Sequence, residues 1–272
     1  MWVRFLHAGP VNTACEYGGI GRPSGLKIRR FMRTGSTPVT RTKGTTMSEP
    51  WFNWQNKTMQ LDGLWVLNNF LTPDVYQRIQ TEIRDTPAEW HNRYHSREIS
   101  EHGNYPNCRE LAGRLIPYLH GLLGGNYKCV TIRAYRDHPG SWFFPHLDGR
   151  DFAVNVQIYM PASDRDELGT QFCANDEKNK LADADEYNLE SKFTFVENEF
   201  LTVPFRANWG YINDNTRRKI HKTLKVPENY IRESLHLNFA FKKYPAEFAS
   251  EAGLELDWYR RIGIAVPPEE MI

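Results

Sequence analysis

The chain has 272 residues, of which 40% are hydrophobic and 13% aromatic, enough to build the core of one large domain or two small ones. No run is long and apolar enough to cross a membrane, so a membrane-spanning protein is excluded. The formal net charge of +1 combines a net +7 in residues 1–46 with a net −6 in residues 47–272, and this acidic body disfavours nucleic acid as a partner.

Residues 1–46 predict a leader outside the folded domain. They carry eight Lys or Arg against the single acid Glu16 and have no helical or strand period, so we expect them to be disordered. They fit an organellar transit peptide, or a basic tail that touches nucleic acid. A third interpretation is an upstream leucine tRNA gene translated in frame, with the true start at Met47. Residues 16–29 and 35–38 can be back-translated into strings that resemble tRNA arms in the correct order.

The four cysteines are scattered and include no Cys-x-x-Cys pair; they are Cys15, Cys108, Cys129 and Cys173. Such spacing is typical of free thiols in a reducing compartment rather than of a disulfide or zinc framework. We therefore expect a cytoplasmic protein, or an organellar one if the leader is a transit peptide. The sequence does not predict an oligomeric state.

Residues 47–272 predict one domain that begins with two helices. Thr72 is placed to cap a helix over 73–85, in which apolar residues recur at a four-residue spacing. A second helix is predicted over 107–123, with Pro117 as a kink, and a pair of glycines follows it.

Short strands dominate the rest of this domain. Along the last predicted strand, apolar side chains alternate with Ser234, His236 and Asn238, which gives one apolar and one polar face. These features predict an α+β double-stranded β-helix, or jelly-roll, with helices packed on one sheet and a cavity lined by the polar face. The strands are predicted at 64–67, 127–135, 152–160, 193–196, 200–203 and 235–241. The polar segment 161–191 predicts a mobile surface loop near the mouth of the site.

His146 and Asp148, separated by one residue, predict a metal site. An extended chain places both side chains on the same side, and His221 follows 73 residues after the carboxylate. Two imidazoles and one carboxylate are the set that holds non-haem Fe(II) and leaves coordination positions open.

Arg232 and Ser234 predict an anchor for a carboxylate co-substrate. Ten residues separate His221 from Arg232, enough for a strand, a turn and a return strand to bring the guanidinium beside the metal. A guanidinium fork and a nearby hydroxyl suit a carboxylate. The pattern therefore indicates an enzyme that activates O2 with iron and a 2-oxo acid.

Other candidates are weaker. His91 and His95 would lie on one face of a helix with His102 nearby, but the sequence lacks His-Glu-x-x-His, which favours solvent-exposed histidines. Arg217-Arg218-Lys219 and Lys242-Lys243 are interpreted as solvated edge charges. Trp142 and Tyr211 flank the predicted ligands, which suggests a place along a substrate channel.

Residues 61–245 resemble the Fe(II)/2-oxoglutarate-dependent oxygenase superfamily, and within it the prolyl-4-hydroxylase-like branch. The motifs that carry the resemblance are Phe70–Val75 at the start of a helix, Tyr135-x4-Gly140-x5-His146-x-Asp148, Ile158-Tyr159-Met160 followed by 168–172, and Pro204–Asn208 before His221. The chain departs from this branch at two places. Where a pair of glycines is usual, it has Leu168-Gly169 with a single glycine. Where prolyl hydroxylases use Lys to bind the co-substrate, it has Arg232 with Ser234. The prolyl substrate therefore does not transfer.

The resemblance implies that His146, Asp148 and His221 hold Fe(II). It further implies that 2-oxoglutarate chelates the iron and places its distal carboxylate on Arg232 and Ser234. Tyr135 and Asn155 are further candidate hydrogen-bond donors to this co-substrate.

The implied activity is hydroxylation of a peptide side chain or a small amino-acid-like molecule, with O2 as oxidant and ascorbate as a reductant. The alternative is a non-catalytic jelly-roll module that has kept these ligands and works by binding. A nucleic-acid demethylase is disfavoured because the body is acidic and no second arginine follows Arg232 in the expected place.

Overall fold

Two antiparallel sheets form the framework of the domain. The computed structural model describes residues 51–86, 91–93, 96–100, 105–149, 152–182 and 188–242, all within the unit Met47–Ile272. The predicted leader, residues 1–46, lies outside the described residues. Within the described part, no helix is both long and apolar enough to cross a membrane.

Twelve strands, three α-helices and five short 3-10 helices make up the described secondary structure. The strands are β1 (Lys57–Leu61), β2 (Leu64–Leu67), β3 (His91–Arg93), β4 (Arg97–Ser100), β5 (Tyr127–Asp137), β6 (Phe143–His146), β7 (Val154–Tyr159), β8 (Thr170–Cys173), β9 (Phe200–Thr202), β10 (Gly210–Asp214), β11 (His221–Thr223) and β12 (Arg232–Phe241). The helices are α1 (Pro73–Asp85), α2 (Pro106–Leu123) and α3 (Asp176–Leu181).

The larger sheet runs in the order β1-β2-β10-β7-β12-β5-β4-β3, and the smaller one in the order β6-β11-β8-β9. Non-consecutive strands are neighbours in both sheets, so residues distant in sequence meet across one hydrogen-bonded ladder. Strand β12 lies between β7 and β5, which makes it the centre of the larger sheet.

The main core lies between the larger sheet and helices α1 and α2. Val75 and Ile79 of α1 pack in this core with Leu235, Leu237 and Phe239, the apolar face of β12. The predicted alternation is therefore confirmed: the opposite face of β12 is left for polar side chains turned toward the smaller sheet.

A buried carboxylate joins the two helices. Glu82 of α1 accepts hydrogen bonds from the backbone N–H groups of Asn107 and Cys108, both at 2.9 Å, and so caps the start of α2. Helix α1 has the predicted bounds, although Thr72 makes no side-chain capping bond. Helix α2 starts one residue before the predicted position and contains Pro117 in its interior.

Two predictions of secondary structure are wrong. Residues 193–196 form no strand, because Phe193 and Phe195 pack together in a small cluster with Ala182 and Leu189 instead of pairing along the backbone. The segment 161–191 is not simply a surface loop. Its described part contains β8 and α3, and β8 pairs with β11.

The described cysteines fit the prediction of free thiols: Cys108 and Cys173 are buried, Cys129 is half-buried, and none of the three forms a disulfide. Cys15 lies outside the described residues.

Candidate metal centre and its cavity

A cavity of about 310 Å³ lies between the two sheets. Its wall includes the polar face of β12 and the facing side chains of the neighbouring strands β5 and β7. The three predicted metal ligands also line it, together with Arg232 and Tyr135. The fold therefore brings the predicted metal site and the predicted co-substrate anchor into one cavity.

His146, Asp148 and His221 converge at one side of this cavity. His146 ends β6 and His221 begins β11, and the two residues stand directly opposite each other in the antiparallel register. One donor atom from each of the three residues lies within 4.8 Å of the others. His221 Nε2 is 3.5 Å from Asp148 Oδ1. The spacing of these atoms suits a single ion bound between them.

The orientation of both imidazoles leaves Nε2 for a metal. His146 Nδ1 lies 2.7 Å from the carbonyl oxygen of Phe144, and His221 Nδ1 lies 3.1 Å from that of Lys219. A carbonyl oxygen can only accept, so Nδ1 carries the proton in each ring. The lone pair is then on Nε2, as in metal-binding histidines whose second nitrogen is held by the backbone.

Burial and mutual charge set the protonation of the three ligands. Burial, reinforced by repulsion from His221, lowers the pKa of His146 to about 4. Burial alone would raise the pKa of Asp148, but the nearby His221 and His146 hold it well below its usual range. Burial opposes charge on His221, yet attraction to Asp148 raises its pKa. The carboxylate is therefore ionised at neutral pH and available to a metal, and metal binding would compete with protonation of His221 Nε2.

Arg232 and Ser234 lie on the polar face of β12, as predicted. Arg232 donates from Nε and Nη2 to Asp137 Oδ2 at 2.8 and 2.6 Å, and from Nη1 to the carbonyl oxygen of Leu168 at 3.1 Å. Ser234 accepts a hydrogen bond of 3.0 Å from Gln157. The guanidinium is therefore fixed in place before any co-substrate arrives.

No protein-family model matches the sequence, and neither does any curated protein. Among solved structures, the non-heme alpha ketoglutarate dependent epimerase SnoN from nogalamycin biosynthesis is 15% identical with a TM-score of 0.50, over 70% of this chain and 80% of that one. The chain has the fold of SnoN. The predicted double-stranded β-helix is thereby confirmed.

Two further structures are similar. SnoN in complex with Fe3+, alpha ketoglutarate and nogalamycin RO matches at 15% identity and TM-score 0.50, over 70% of this chain and 81% of that one. HygX from Streptomyces hygroscopicus, with nickel, 2-oxoglutarate and hygromycin B bound, matches at 10% identity and TM-score 0.49, over 69% of this chain and 84% of that one.

Tyr135 and Asn155, the other predicted co-substrate donors, both line the cavity of this SnoN-like fold. Burial raises the pKa of Tyr135, so its hydroxyl keeps its proton at neutral pH and remains a donor. Asn155 donates from Nδ2 to Asp148 Oδ2 through a short hydrogen bond. Its amide therefore supports a predicted metal ligand, while its contact with a co-substrate stays a prediction.

Sequence reasoning missed Arg97 and Asp137. Asp137 is 1% exposed and accepts hydrogen bonds from both Arg97 and Arg232, which hold its pKa well below the usual range although burial opposes this. Arg97 reaches the cavity from β4, a strand that was not predicted. Arg97 and Asp137 are 40 residues apart and share no local pattern that would have linked them.

His236 and Thr223 were also missed as cavity residues. His236 Nε2 and Thr223 Oγ1 are buried, face the cavity wall and have no hydrogen-bond partner among the described residues. Because buried polar atoms are normally paired, both mark places where a bound molecule would supply the partner. The sequence predicted that His236 lies on the polar face of β12, but no pattern distinguished it from the other residues of that face.

The other residues singled out in the sequence have different outcomes. The side chains of His91, His95 and His102 lie outside the described residues, so the alternative metal set stays a prediction. Lys219 is not a solvated edge charge: its side chain is 5% exposed and pairs with Asp176 at 2.8 Å. Tyr211 lines the cavity, whereas Trp142 lies edge-on against Phe144.

Proposed function

We propose that the protein is an Fe(II)- and 2-oxoglutarate-dependent dioxygenase that hydroxylates a peptide side chain or a small amino-acid-like molecule. One observation carries the proposal: His146, Asp148, His221 and Arg232 line a single cavity in this fold. The metal ligands and the carboxylate anchor are therefore available to one bound 2-oxo acid.

The donor set fits iron. Two neutral imidazole nitrogens and one ionised carboxylate oxygen suit Fe(II) and leave the remaining positions for co-substrate and O2. Within the site, the divalent ion and Asp148 would leave one positive charge. Arg97 and Arg232 share the single negative charge of Asp137 and leave another. The dianion of 2-oxoglutarate would offset these two charges, and the guanidinium of Arg133 in the cavity wall adds a further positive charge that favours an anion.

Each residue has a separable role in the reaction. His146, Asp148 and His221 would hold the iron, which when bound supplies O2 activation coupled to oxidative decarboxylation of the 2-oxo acid to succinate. Asn155 holds the carboxylate ligand in one orientation through its short bond to Asp148. Tyr135, protonated at neutral pH, would donate to the co-substrate. The surrounding sheets restrict water around the reacting groups.

The size and lining of the cavity support a small substrate or a single side chain. Its volume of about 310 Å³ must also accommodate the co-substrate. The unpaired His236 Nε2 and Thr223 Oγ1 favour a substrate with hydrogen-bonding groups.

The test is release of succinate from 2-oxoglutarate by the full chain with Fe(II) and ascorbate, first alone and then with peptides or free amino acids. We expect turnover by the wild type and none by His146→Ala or Asp148→Ala, because each variant loses a metal ligand. His120→Ala is the matched control, since His120 lies at the end of α2 and bonds to the carbonyl oxygen of Gly125.

Two results would contradict the proposal. Full decarboxylation by either ligand variant would show that the site assignment is wrong. A wild type that binds no iron and turns over no candidate substrate would favour the non-catalytic jelly-roll module.

A further inference from the structure

We propose that Arg97 is a second carboxylate-binding residue, which forms with Arg232 a two-guanidinium site for the distal carboxylate of 2-oxoglutarate. The inference rests on the proposed function and assigns a residue that neither the motifs nor the resemblance indicated. It makes β4, on the side of β5 away from β12, part of the binding site.

The position of Arg97 follows from the sheet register. Arg97 pairs with Asp137 across β4 and β5, and Asp137 pairs with Arg232 across β5 and β12. Three consecutive strands therefore place a cation, an anion and a cation side by side on the cavity face. Arg97 also lies over the rings of Tyr135 and Phe143, at 4.6 and 4.1 Å from their centroids, which limits the movement of its guanidinium.

The hydrogen bonds of the two guanidiniums differ. Each nitrogen atom of Arg232 already has one protein acceptor, Asp137 Oδ2 for Nε and Nη2 and the carbonyl oxygen of Leu168 for Nη1, so that one N–H group is left on Nη1 and one on Nη2. Arg97 donates to Asp137 from Nε and from Nη2, the latter at 2.8 Å, but no described residue accepts a bond from its Nη1. Arg97 therefore has a donor atom left for a ligand, at the rim of a cavity that it lines.

The charges of the cluster point to an anion. The side chains are 15% exposed for Arg97, 4% for Arg232 and 1% for Asp137, so two cations and one anion are buried together. An uncompensated buried charge is costly. A carboxylate bound against both guanidiniums compensates it and accepts the planar, charge-assisted hydrogen bonds that arginine donates.

A purely structural role for Arg97 is the competing explanation, in which it only neutralises Asp137. The two roles differ in how they depend on the ligand. A binding role affects 2-oxoglutarate but not 2-oxopentanoate, which has a methyl group in place of the distal carboxylate. A structural role distorts the site and affects both acids equally.

The experiment measures binding of both acids to the Mn(II)-loaded full chain by calorimetry, without turnover. We expect Arg97→Gln to weaken binding of 2-oxoglutarate about 10- to 100-fold, as for loss of charge-assisted hydrogen bonds, and to leave 2-oxopentanoate within about twofold. Arg97→Lys, which keeps the charge but loses the fork, should fall in between. Arg136→Gln is the matched control: it removes the Arg136–Glu233 pair of 2.9 Å from the opposite face of the same two strands.

Each outcome decides the matter. The inference is overturned if Arg97→Gln binds 2-oxoglutarate as the wild type does, or if both acids weaken equally. If Arg97→Gln does not fold, Arg97→Lys decides by the same comparison. A wild type that binds Mn(II) but not 2-oxoglutarate overturns the proposed function and this inference with it, whereas wild-type binding combined with unaffected variants overturns this inference alone.

Discussion

Asn155 donates a side-chain hydrogen bond to the Oδ2 atom of Asp148, and so fixes which carboxylate oxygen faces His221. The donor lies on β7 in the larger sheet, whereas the carboxylate follows β6 in the smaller one. This single bond therefore ties the predicted metal ligand to the opposite wall of the cavity and orients Oδ1 toward the imidazole.

Asn155→Ala should weaken metal binding about 10- to 100-fold, because ligands that lose a supporting hydrogen bond lose orientation. The measurement is the dissociation constant of Mn(II), with folding checked by circular dichroism. Asn188→Ala is the control, since Asn188 caps a short helical turn on the exposed surface. Unchanged Mn(II) affinity in the Asn155 variant would show that the bond has no role in the metal centre.

Gly169→Ala should destabilise the protein by about 3 kcal/mol, at the upper end for an overpacked site. A Cβ at this position would lie 1.6 Å from the carbonyl oxygen of Val203, which is backbone and has little room to move. This contact explains why a glycine stands at the Leu168-Gly169 position. The free energy of unfolding in urea measures the effect.

Gly113→Ala is the matched comparison, because its added Cβ would meet nothing within 4 Å. Gly113 lies inside α2, where alanine is the better helix former, so this variant should be more stable by about 0.5–1 kcal/mol. Equal effects of the two substitutions would rule out the close approach as the cause.

Glu82→Ala should destabilise the fold by about 2–3 kcal/mol, because it leaves the buried backbone N–H groups of Asn107 and Cys108 without their charged acceptor. Glu110→Ala in the same helix pair is the control. Its carboxylate is exposed and pairs only with Arg114, so we expect a loss of about 0.5 kcal/mol or less. Chemical denaturation measures both, and a cost for Glu82→Ala no greater than that of the control would contradict the capping role.

His236→Phe should change how stability depends on pH. Burial, with repulsion from Arg97, lowers the pKa of His236 to about 3 from its ordinary value of 6.5. The unfolded chain therefore binds the proton more readily, and the neutral histidine costs stability as pH falls below 6.5, until protonation of the folded state begins near pH 3.

The variant lacks this titration. Between pH 7 and pH 5 the free energy of unfolding of the wild type should therefore fall by about 2 kcal/mol more than that of the variant. Urea unfolding at the two pH values measures the difference between variant and wild type, in which effects of other titrating groups largely cancel. A difference that does not change with pH would show that His236 titrates alike in both states.

Patterns confined to one element were predictable from the sequence. The four-residue spacing of Val75, Ile79 and Ile83 determined helix α1, and the alternation along β12 separated its core face from its cavity face. The His-x-Asp spacing and the distal histidine predicted three side chains whose donor atoms the fold brings within 4.8 Å of one another, and their binding of a metal stays a prediction.

The pairing of strands that are distant in the sequence was not predictable. Arg97 and Asp137 meet only because β4 adds to the edge of β5, and no periodicity in either segment indicates that pairing. The prediction of a surface loop over 161–191 is wrong for a related reason. The average polarity of the segment is high, but Leu168 and Phe172 are buried, and these two residues are enough to hold β8 in the smaller sheet.

The register that sets His221 opposite His146 has a consequence for folding. The smaller sheet is made of strands of three or four residues, so its ladders carry few hydrogen bonds to specify alignment. A slip of β11 by one residue would turn His221 to the other face and remove one of the three ligands. An ion bound by both histidines would therefore favour the correct alignment of β11, since it would stabilise only the arrangement in which both histidines face the cavity. Slower hydrogen exchange of the β11 amides upon addition of Mn(II) would show that the metal stabilises this alignment. The metal would then contribute to the stability of the fold as well as to the reaction.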